Sequence, residues 1–428
     1  MASIALEHRA EARRPGVRAI AALFILSAIV GLNTVDRNMF GLLLPAIRQD
    51  IPLSDASLGF LMGPAFVLVY SLTGVPLGWL ADRTSRRIIV AAGLAFWSLV
   101  TVATGFAGSF AALLIARMML GVGEASNLAP TSALIGDTFT GRARVPAMAV
   151  FGAGGPLAVM LFYPLIGWIA DTHGWRFAFP LMGAAGLVVA LLTILIVREP
   201  PRRTPTGGAA AIAFPRAAGM ALRSRPFWLM VAAGTLLSIN YSAMLAWLPT
   251  FMLRVHALDA QQTGVLIGMY KGGLGVIATF ASGFVVALLM RFDRRWLGWA
   301  PALCCLAMAP AQLCLLLADQ PIWWHIGLAI ETVAMAATTP CTFSLVLALL
   351  DRRIRATGTA IYLLIFNLVG QSVGPMLIGA LNDGPLAFVG AKAIRYSLLT
   401  APAAIAISAL FFLLLAVRLD KIGDEDGE

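Results

Sequence analysis

Arg117-Met118-Met119-Leu120-Gly121-Val122-Gly123-Glu124-Ala125-Ser126-Asn127 breaks into a run that is otherwise apolar, residues 110–116 on one side and 128–135 on the other. Read as one helix, the stretch sets Arg117 and Glu124 seven residues apart, about two turns, so both share a face. Charges at bilayer depth are costly and turn towards a partner or a polar cavity. The first apolar run, 18–46, carries a similar interruption, with Asn33, Asp36 and Arg37 at its centre. Two helices thus bring Asp36, Arg37, Arg117 and Glu124 into one bilayer. Such a set is either a static ion-pair cluster that locks helices together or a transport site coupled to protonation.

Composition identifies the solvent. Of 428 residues, 60% are hydrophobic and 12% charged, against about 25% charged in a soluble domain. The net charge of +10 is scattered between apolar runs, which makes no nucleic-acid face. Cys304, Cys305, Cys314 and Cys341 lie inside apolar runs with neither metal spacing nor a disulfide framework. His8, His173, His256 and His325 are far apart, and no nucleophile elbow, zinc motif or P-loop occurs. Neither an enzyme nor a metal or cofactor site is expected. The first apolar run is too long, and too charged at its centre, for a cleaved signal peptide.

Runs of roughly 20 apolar residues can span a bilayer, and twelve can be placed: 18–46, 55–81, 88–108, 110–136, 144–170, 175–197, 226–253, 261–290, 297–317, 321–349, 356–382 and 392–417. Prolines within them are tolerated in membrane helices. The expected fold is an all-α integral membrane protein. Its segments are an N-terminal stretch 1–17, a six-helix bundle 18–197, a linker 198–225, a second six-helix bundle 226–417 and a tail 418–428. With the N-terminus cytoplasmic, 23 of the 31 Lys and Arg residues fall in inner segments and five in outer loops. The positive-inside rule therefore puts both termini in the cytoplasm. The halves echo each other: Pro130, Arg142, Arg144, Pro164, Gly167 and Asp171 recur as Pro340, Arg352 to Arg355, Pro375, Gly379 and Asp383, about 210 residues later. A parallel repeat of this kind places a site at the interface of the halves, near the midplane.

Gly78, Leu80, Ala81, Asp82, Arg83, Arg86 and Arg87 resemble the major facilitator superfamily signature between helices two and three. Gly152, Gly154, Gly155 and Pro156 resemble its glycine-proline motif on helix five. Asp36-Arg37, Gly121 to Ala125 after Arg117, and Arg198-Glu199-Pro200-Pro201 are similar to bacterial members of the Spinster family. The resemblance covers nearly the whole chain. It implies a monomeric, alternating-access transporter of the bacterial inner membrane that moves lysolipids or sphingoid phosphates among membrane lipids. It also implies proton binding at Asp36 and Glu124, and head-group or charge-relay roles for Arg37 and Arg117, with Asn33 and Asn127 beside them. Asp82 is then expected to face the start of helix eleven, 356–359, and to latch a cytoplasmic gate with Gly78, Arg83, Arg86, Arg87, Arg142 and Arg144. The chain departs from the pattern at Ser85, and at Ala287, which takes the acidic position of the equivalent second-half loop. Asp82 would carry the acidic role alone.

Asp36 lies about ten residues, and Arg117 about seven, from the outer ends of their helices, roughly 10–15 Å deep. They are expected to pair directly, with Glu124 two turns deeper. In the second half Lys271 and Glu331 can pair across the cavity, as a structural bond or a substrate contact. Asn240, Tyr241, Trp247, Asn367 and Gln371 are candidates for the cavity lining or for interhelical hydrogen bonds. The remaining second-half surface, as in Leu363 to Phe366, reads as a greasy wall opposite a polar one. That pattern favours a proton-coupled transporter of an amphiphilic anion. The alternatives are a proton-linked carrier of small organic acids or drugs and, less favoured, a non-transporting membrane sensor.

Overall fold

The computed structural model describes residues 16–200, 214–293, 295–351 and 353–425, except for the side chains of Asp82, Arg142, Ala287, Ala356 and 419–425. Twelve of its helices are long and apolar enough to cross a membrane. They are α1 Val17–Asp50, α2 Asp55–Ala81, α3 Arg86–Thr104, α4 Phe110–Thr138, α5 Arg144–His173, α6 Trp175–Ile196, α7 Arg225–His256, α8 Ala260–Val286, α9 Trp296–Leu317, α10 Pro321–Leu349, α11 Thr357–Asp383 and α12 Ala387–Arg418. Most of the N-terminal segment, residues 201–213 of the linker and the end of the tail lie outside the described residues. The part of the linker that is described is not featureless. Phe214–Arg223 is a helix that buries Ala217 and Ala221, one turn apart, against the start of α11. The Trp228 indole closes its end by donating to the Leu222 carbonyl at 2.7 Å.

Close packing within each half uses small residues, as expected where apolar burial gives helices no reason to prefer one another over lipid. Ser27 and Gly31 of α1 meet Gly154 and Ala158 of α5, and a Cβ at Gly31 or Gly154 would strike the partner helix. Three buried cores result. One is built from buried first-half residues around Ile29, Leu94 and Leu134, with Leu368 of α11 packed against its side. Another belongs to the second half alone, around Phe227, Leu345 and Phe412. The third crosses both halves, joining Phe40, Leu58 and Tyr163 to Trp247, Phe251 and Ile378. The shared core lies away from the termini, and the two separate cores lie on the terminus side. The bundle is therefore closed at its distal end and parted towards the termini.

The closure is built twice by the internal repeat. The Asp383 carboxylate, at the end of α11, accepts from the Ala56 amide in the first turn of α2 at 2.6 Å. The Asp171 carboxylate, at the end of α5, accepts from the Gln261 amide in the first turn of α8 at 2.8 Å. Ser54 and Asp259 cap the next amide of each helix from within their own half. Two helix N-termini thus each receive one acceptor from either half, satisfying amides with no partner inside the helix. Backbones cross closely here: a Cβ at Gly379 would strike the Asp55 carbonyl, and one at Gly167 the Ala260 carbonyl.

Overpacking costs about 1–3 kcal/mol, so Gly379→Val is expected to shift the conformational equilibrium away from distal closure by about tenfold. The measurement uses a background lacking the native cysteines and a cysteine at Asn38. Labelling by a membrane-impermeant thiol reagent applied from the distal face should accelerate. An unchanged rate would mean that the crossing does not govern access.

Candidate functional site

Successive residues on a helix point about 100° apart, and α1 uses this to serve two environments. Asp36 turns into the first half, where its carboxylate accepts from the Thr101 hydroxyl of α3 at 2.6 Å. Arg37 turns the other way and donates through Nη2 and Nε to one oxygen of Glu124, at 2.9 and 3.2 Å. Its guanidinium lies over the rings of Phe66 and Tyr70, 4.5 and 5.1 Å from their centroids. The expected direct bond between Asp36 and Arg117 does not form. Arg117 donates to the Arg37 carbonyl at 3.5 Å and stacks over Phe40 at 4.0 Å. Glu124 therefore binds Arg37 instead of lying free below an Asp36–Arg117 pair. Three buried atoms of this group have no hydrogen-bond partner: Asp36 Oδ1, Arg117 Nη2 and Glu124 Oε1.

The α4 stretch also departs from a continuous helix. Its first part ends at Glu124, and Ala125 to Asn127 turn before helix resumes at Leu128. Gly121 and Gly123 let α2 and α3 close on this point, where a Cβ would meet the Phe66 carbonyl and Trp97. Asn127 is buried and accepts from the Thr131 hydroxyl at 2.8 Å. It closes the turn and does not line the cavity.

Beside Arg37 lies a cavity of about 160 Å³, lined from the first half by Asn33, Thr34, Asn38, Met62, Phe66 and Val67. From the second half come Tyr241, Ser242, Leu245, Ala246, Gln371 and Pro375. Both walls are mixed, which corrects the expectation of one polar and one greasy wall. Leu363 to Phe366 do not line this cavity. Of the five second-half candidates, Tyr241 and Gln371 reach it. Asn367 stands a turn before Gln371 on α11 and donates to the Leu363 carbonyl at 2.8 Å. Asn240 and Trp247 are fully buried elsewhere. Asn240 exchanges hydrogen bonds with Gln312 and donates to the Ala401 carbonyl at 2.9 Å. The Trp247 indole donates to the Pro375 carbonyl at 2.9 Å, fastening α7 to α11. Lys271 and Glu331 form an ion pair within the second half.

The arginines of the α2–α3 loop act inside the first half. Arg86 pairs with Asp137 at the end of α4, 2.6 Å apart. Arg87 donates to the Val197 carbonyl at 3.3 Å, and Glu199 accepts from the Ser85 hydroxyl and the Arg87 amide. Arg83 folds back over Trp79, and Arg144 runs beside Gly136. Gly78 faces open space. The Asp82 and Arg142 side chains lie outside the described residues. Reasoning from sequence missed Asp55, which is buried at the distal end. It takes both Arg254 nitrogens at 2.6 and 2.8 Å, Asn382 at 3.0 Å, and Arg48. Arg48 and Arg254 are two of the five basic residues that the positive-inside count assigns to outer loops. A carboxylate at the first residue of an apolar run was the available signal.

A family model described as Major Facilitator Superfamily matches residues 26–375. The chain is 30% identical over 404 residues to an MFS-type efflux pump of Mycolicibacterium smegmatis, covering 94% of this chain and 93% of the pump. It is 26% identical over 433 residues to Protein spinster homolog 1 of Xenopus tropicalis, covering 93% of this chain and 81% of that protein. Among solved structures, it matches a bacterial homologue of the human lysosomal transporter Spinster in an inward-facing, unoccupied conformation. The TM-score is 0.80 at 24% identity, over 95% of this chain and 98% of the other.

Asn240→Ala would leave buried Gln312 without its partner, at a cost of about 1–3 kcal/mol. A melting temperature lowered by several degrees is expected, whereas Tyr241→Phe should melt like the parent protein. Thermal unfolding in detergent followed by tryptophan fluorescence checks both. An unchanged Asn240→Ala melting temperature would refute the structural assignment.

Proposed function

The chain belongs to the Major Facilitator Superfamily and is an integral membrane transporter, not an enzyme; from that premise we propose that its cargo is an amphiphilic, lysophospholipid-like anion moved by alternating access in a proton-coupled cycle. The observation that carries this reading is Arg37. Its side chain is 26% exposed, next to the cavity, while the Glu124 side chain that neutralises it is fully buried. A guanidinium binds carboxylate and phosphate groups through two parallel hydrogen bonds. An incoming anionic head group therefore competes with Glu124 for Arg37. A carboxylate stripped of its cation in apolar surroundings is stabilised by a proton. Glu124 has one oxygen already without a hydrogen-bond partner. Cargo and proton then exchange places on one ion pair. Asp36, held by Thr101 and not by a cation, is the second carboxylate available for protonation.

Met62, Phe66, Val67 and Leu245 supply the apolar surface along which a chain can leave the head-group pocket. The Spinster likeness supports a lipid cargo. The distribution of arginines supports a terminus side that faces the cytoplasm of a bacterial inner membrane. A small organic acid is the second reading, favoured by the polar Tyr241, Ser242 and Gln371 on the wall expected to be greasy.

Glu124→Gln is expected to abolish the pH dependence of uptake into proteoliposomes while the protein remains folded, because the amide keeps the shape and cannot take a proton. Retention of the full pH dependence would remove Glu124 from the coupling. A chain-length series of lysolipids separates the two cargo readings. Each fully buried CH₂ contributes about 0.8 kcal/mol, so two added methylenes should raise affinity by about tenfold. A flat series, or a sugar acid that outcompetes the lysolipid, would favour the small acid.

A further inference from the structure

The linker helix, Phe214–Arg223, presents two exposed faces of opposite character. Successive residues turn by about 100°, which divides its side chains among three directions. Ala217 and Ala221 face α11 and are buried. Phe214, Ala218 and Leu222 follow at intervals of four along one flank, where Phe214 is 65% and Leu222 41% exposed. Arg216 and Arg223, seven residues apart, share a side roughly opposite to that flank. Both are exposed, and among the described residues neither makes an ion pair or a side-chain hydrogen bond. Met220, also exposed, lies between the alanines and the arginines. The helix contains no acid. Its depth is set by α7. One residue, Ser224, separates it from the first residue of a membrane span. The Trp228 indole, 48% exposed in the first turn of that span, donates to the Leu222 carbonyl. Tryptophan collects at the membrane–water interface, so a helix fastened to Trp228 lies at head-group depth. A helix with an apolar flank and a basic side opposite rests in that layer with the flank towards the acyl chains.

We propose that the linker helix is a membrane-surface element whose partner is anionic phospholipid of the terminus-side leaflet. Phe214 and Leu222 enter the acyl boundary, and Arg216 and Arg223 bind lipid phosphates. Charge and continuity select this partner: the helix is cationic without any acid, and it joins a membrane span through a single residue. Cations held at that depth draw anionic lipid. The inference does not depend on which cargo the cavity takes.

The test is fluorescence quenching on the full chain in lipid nanodiscs, in a background lacking the native cysteines. Bimane is attached to an Ala218→Cys variant, on the apolar flank, or to a Gly219→Cys variant, whose added Cβ meets open space towards the basic side. Phospholipids brominated in their acyl chains should quench the first and not the second, and Leu222→Cys should repeat the first result on the same flank. At equal mole fraction, brominated phosphatidylglycerol should quench the Ala218 position more than brominated phosphatidylcholine, each arginine giving about a fivefold enrichment near the surface. Arg216→Gln combined with Arg223→Gln should abolish that preference, and Arg216→Lys combined with Arg223→Lys should keep it. Equally weak quenching at both positions would put the helix outside the membrane and overturn the proposal. Blue-shifted emission without quenching would mean that protein covers the flank, which also overturns it. A preference unchanged in the glutamine variant removes the arginines as the lipid contact. A parent protein without any preference removes anionic lipid as the partner.

Discussion

Helix ends that lack hydrogen-bond acceptors decide which side of this bundle is closed. The first turns of α2 and α8 expose amides with no partner inside their own helix, and the halves meet where each supplies the other's missing acceptor. Asp383 and Asp171 do so from equivalent places in the repeat. The contact demands backbone approach, hence glycine at 167 and 379. Asp55 adds a charge cluster on the α2 side alone, tying α2 to α7 and α11 through Arg254 and Asn382. The position equivalent to Asp55 on α8 is Ala260, so the two crossings are alike in backbone and unlike in charge. Among the described residues the buried core shared by both halves forms beside these crossings, while the buried cores towards the termini are each built from one half. The cavity beside Arg37 follows from that division.

Inside the first half the same economy of position governs the charges. One residue separates a carboxylate facing Thr101 from a guanidinium facing the cavity, and the helix supplies the angle between them. Arg117, with its ring contact to Phe40 and its bond to the Arg37 carbonyl, packs behind the pair. It supports Arg37 without blocking it. Neutralising a buried acid with a cation that remains accessible keeps the acid's burial tolerable while leaving the cation open to exchange.

The twelve spans, the repeat and the ionisable residues of α1 and α4 were legible because apolar length and isolated charge are one-dimensional signals. Partners were not. Whether Arg117 or Arg37 meets Glu124 depends on how α1 is rotated and set against α4, and the glycines at 121 and 123 that let neighbouring helices approach α4 do not announce that rotation. Asn240 and Gln371 look alike in an apolar run, yet one finds Gln312 inside the second half and the other reaches the cavity. Which face of α7 or α11 is inside depends on packing between helices far apart in sequence. Asp55 was overlooked because a carboxylate at the start of a span reads as a loop residue until Arg48, Arg254 and Asn382 are seen around it. The α2–α3 arginines carried a family signature, and their positions show an additional local task. They hold the ends of α4 and α6, where carbonyls lack partners and cations are favoured.

The π-helical turns of the second half answer a problem of phase. The distal part of α8 must present Gly264 to α5, and the distal part of α11 must present Gly379 to α2. Nearer the middle, the same helices must direct Lys271 towards α10 and Gln371 into the cavity. A regular helix fixes the angle between such positions at about 100° per residue, and one sequence spacing cannot satisfy both demands at will. A wider turn changes the phase between the distal and central parts without a break in the chain. In α8 the wide turn, Gly268–Leu274, begins after Gly264 and contains Lys271; in α11 the turn Phe366–Gly370 precedes both Gln371 and Gly379 and sets their common phase against the start of the helix. In the first half α2 has another solution, an irregular Gly63 next to Pro64, and Gly63 lies against the Gln371 and Ser372 carbonyls of α11. The irregular backbone is thus concentrated where one helix serves both the closure and the cavity, and it lies against protein rather than lipid, the setting in which a membrane bundle tolerates it.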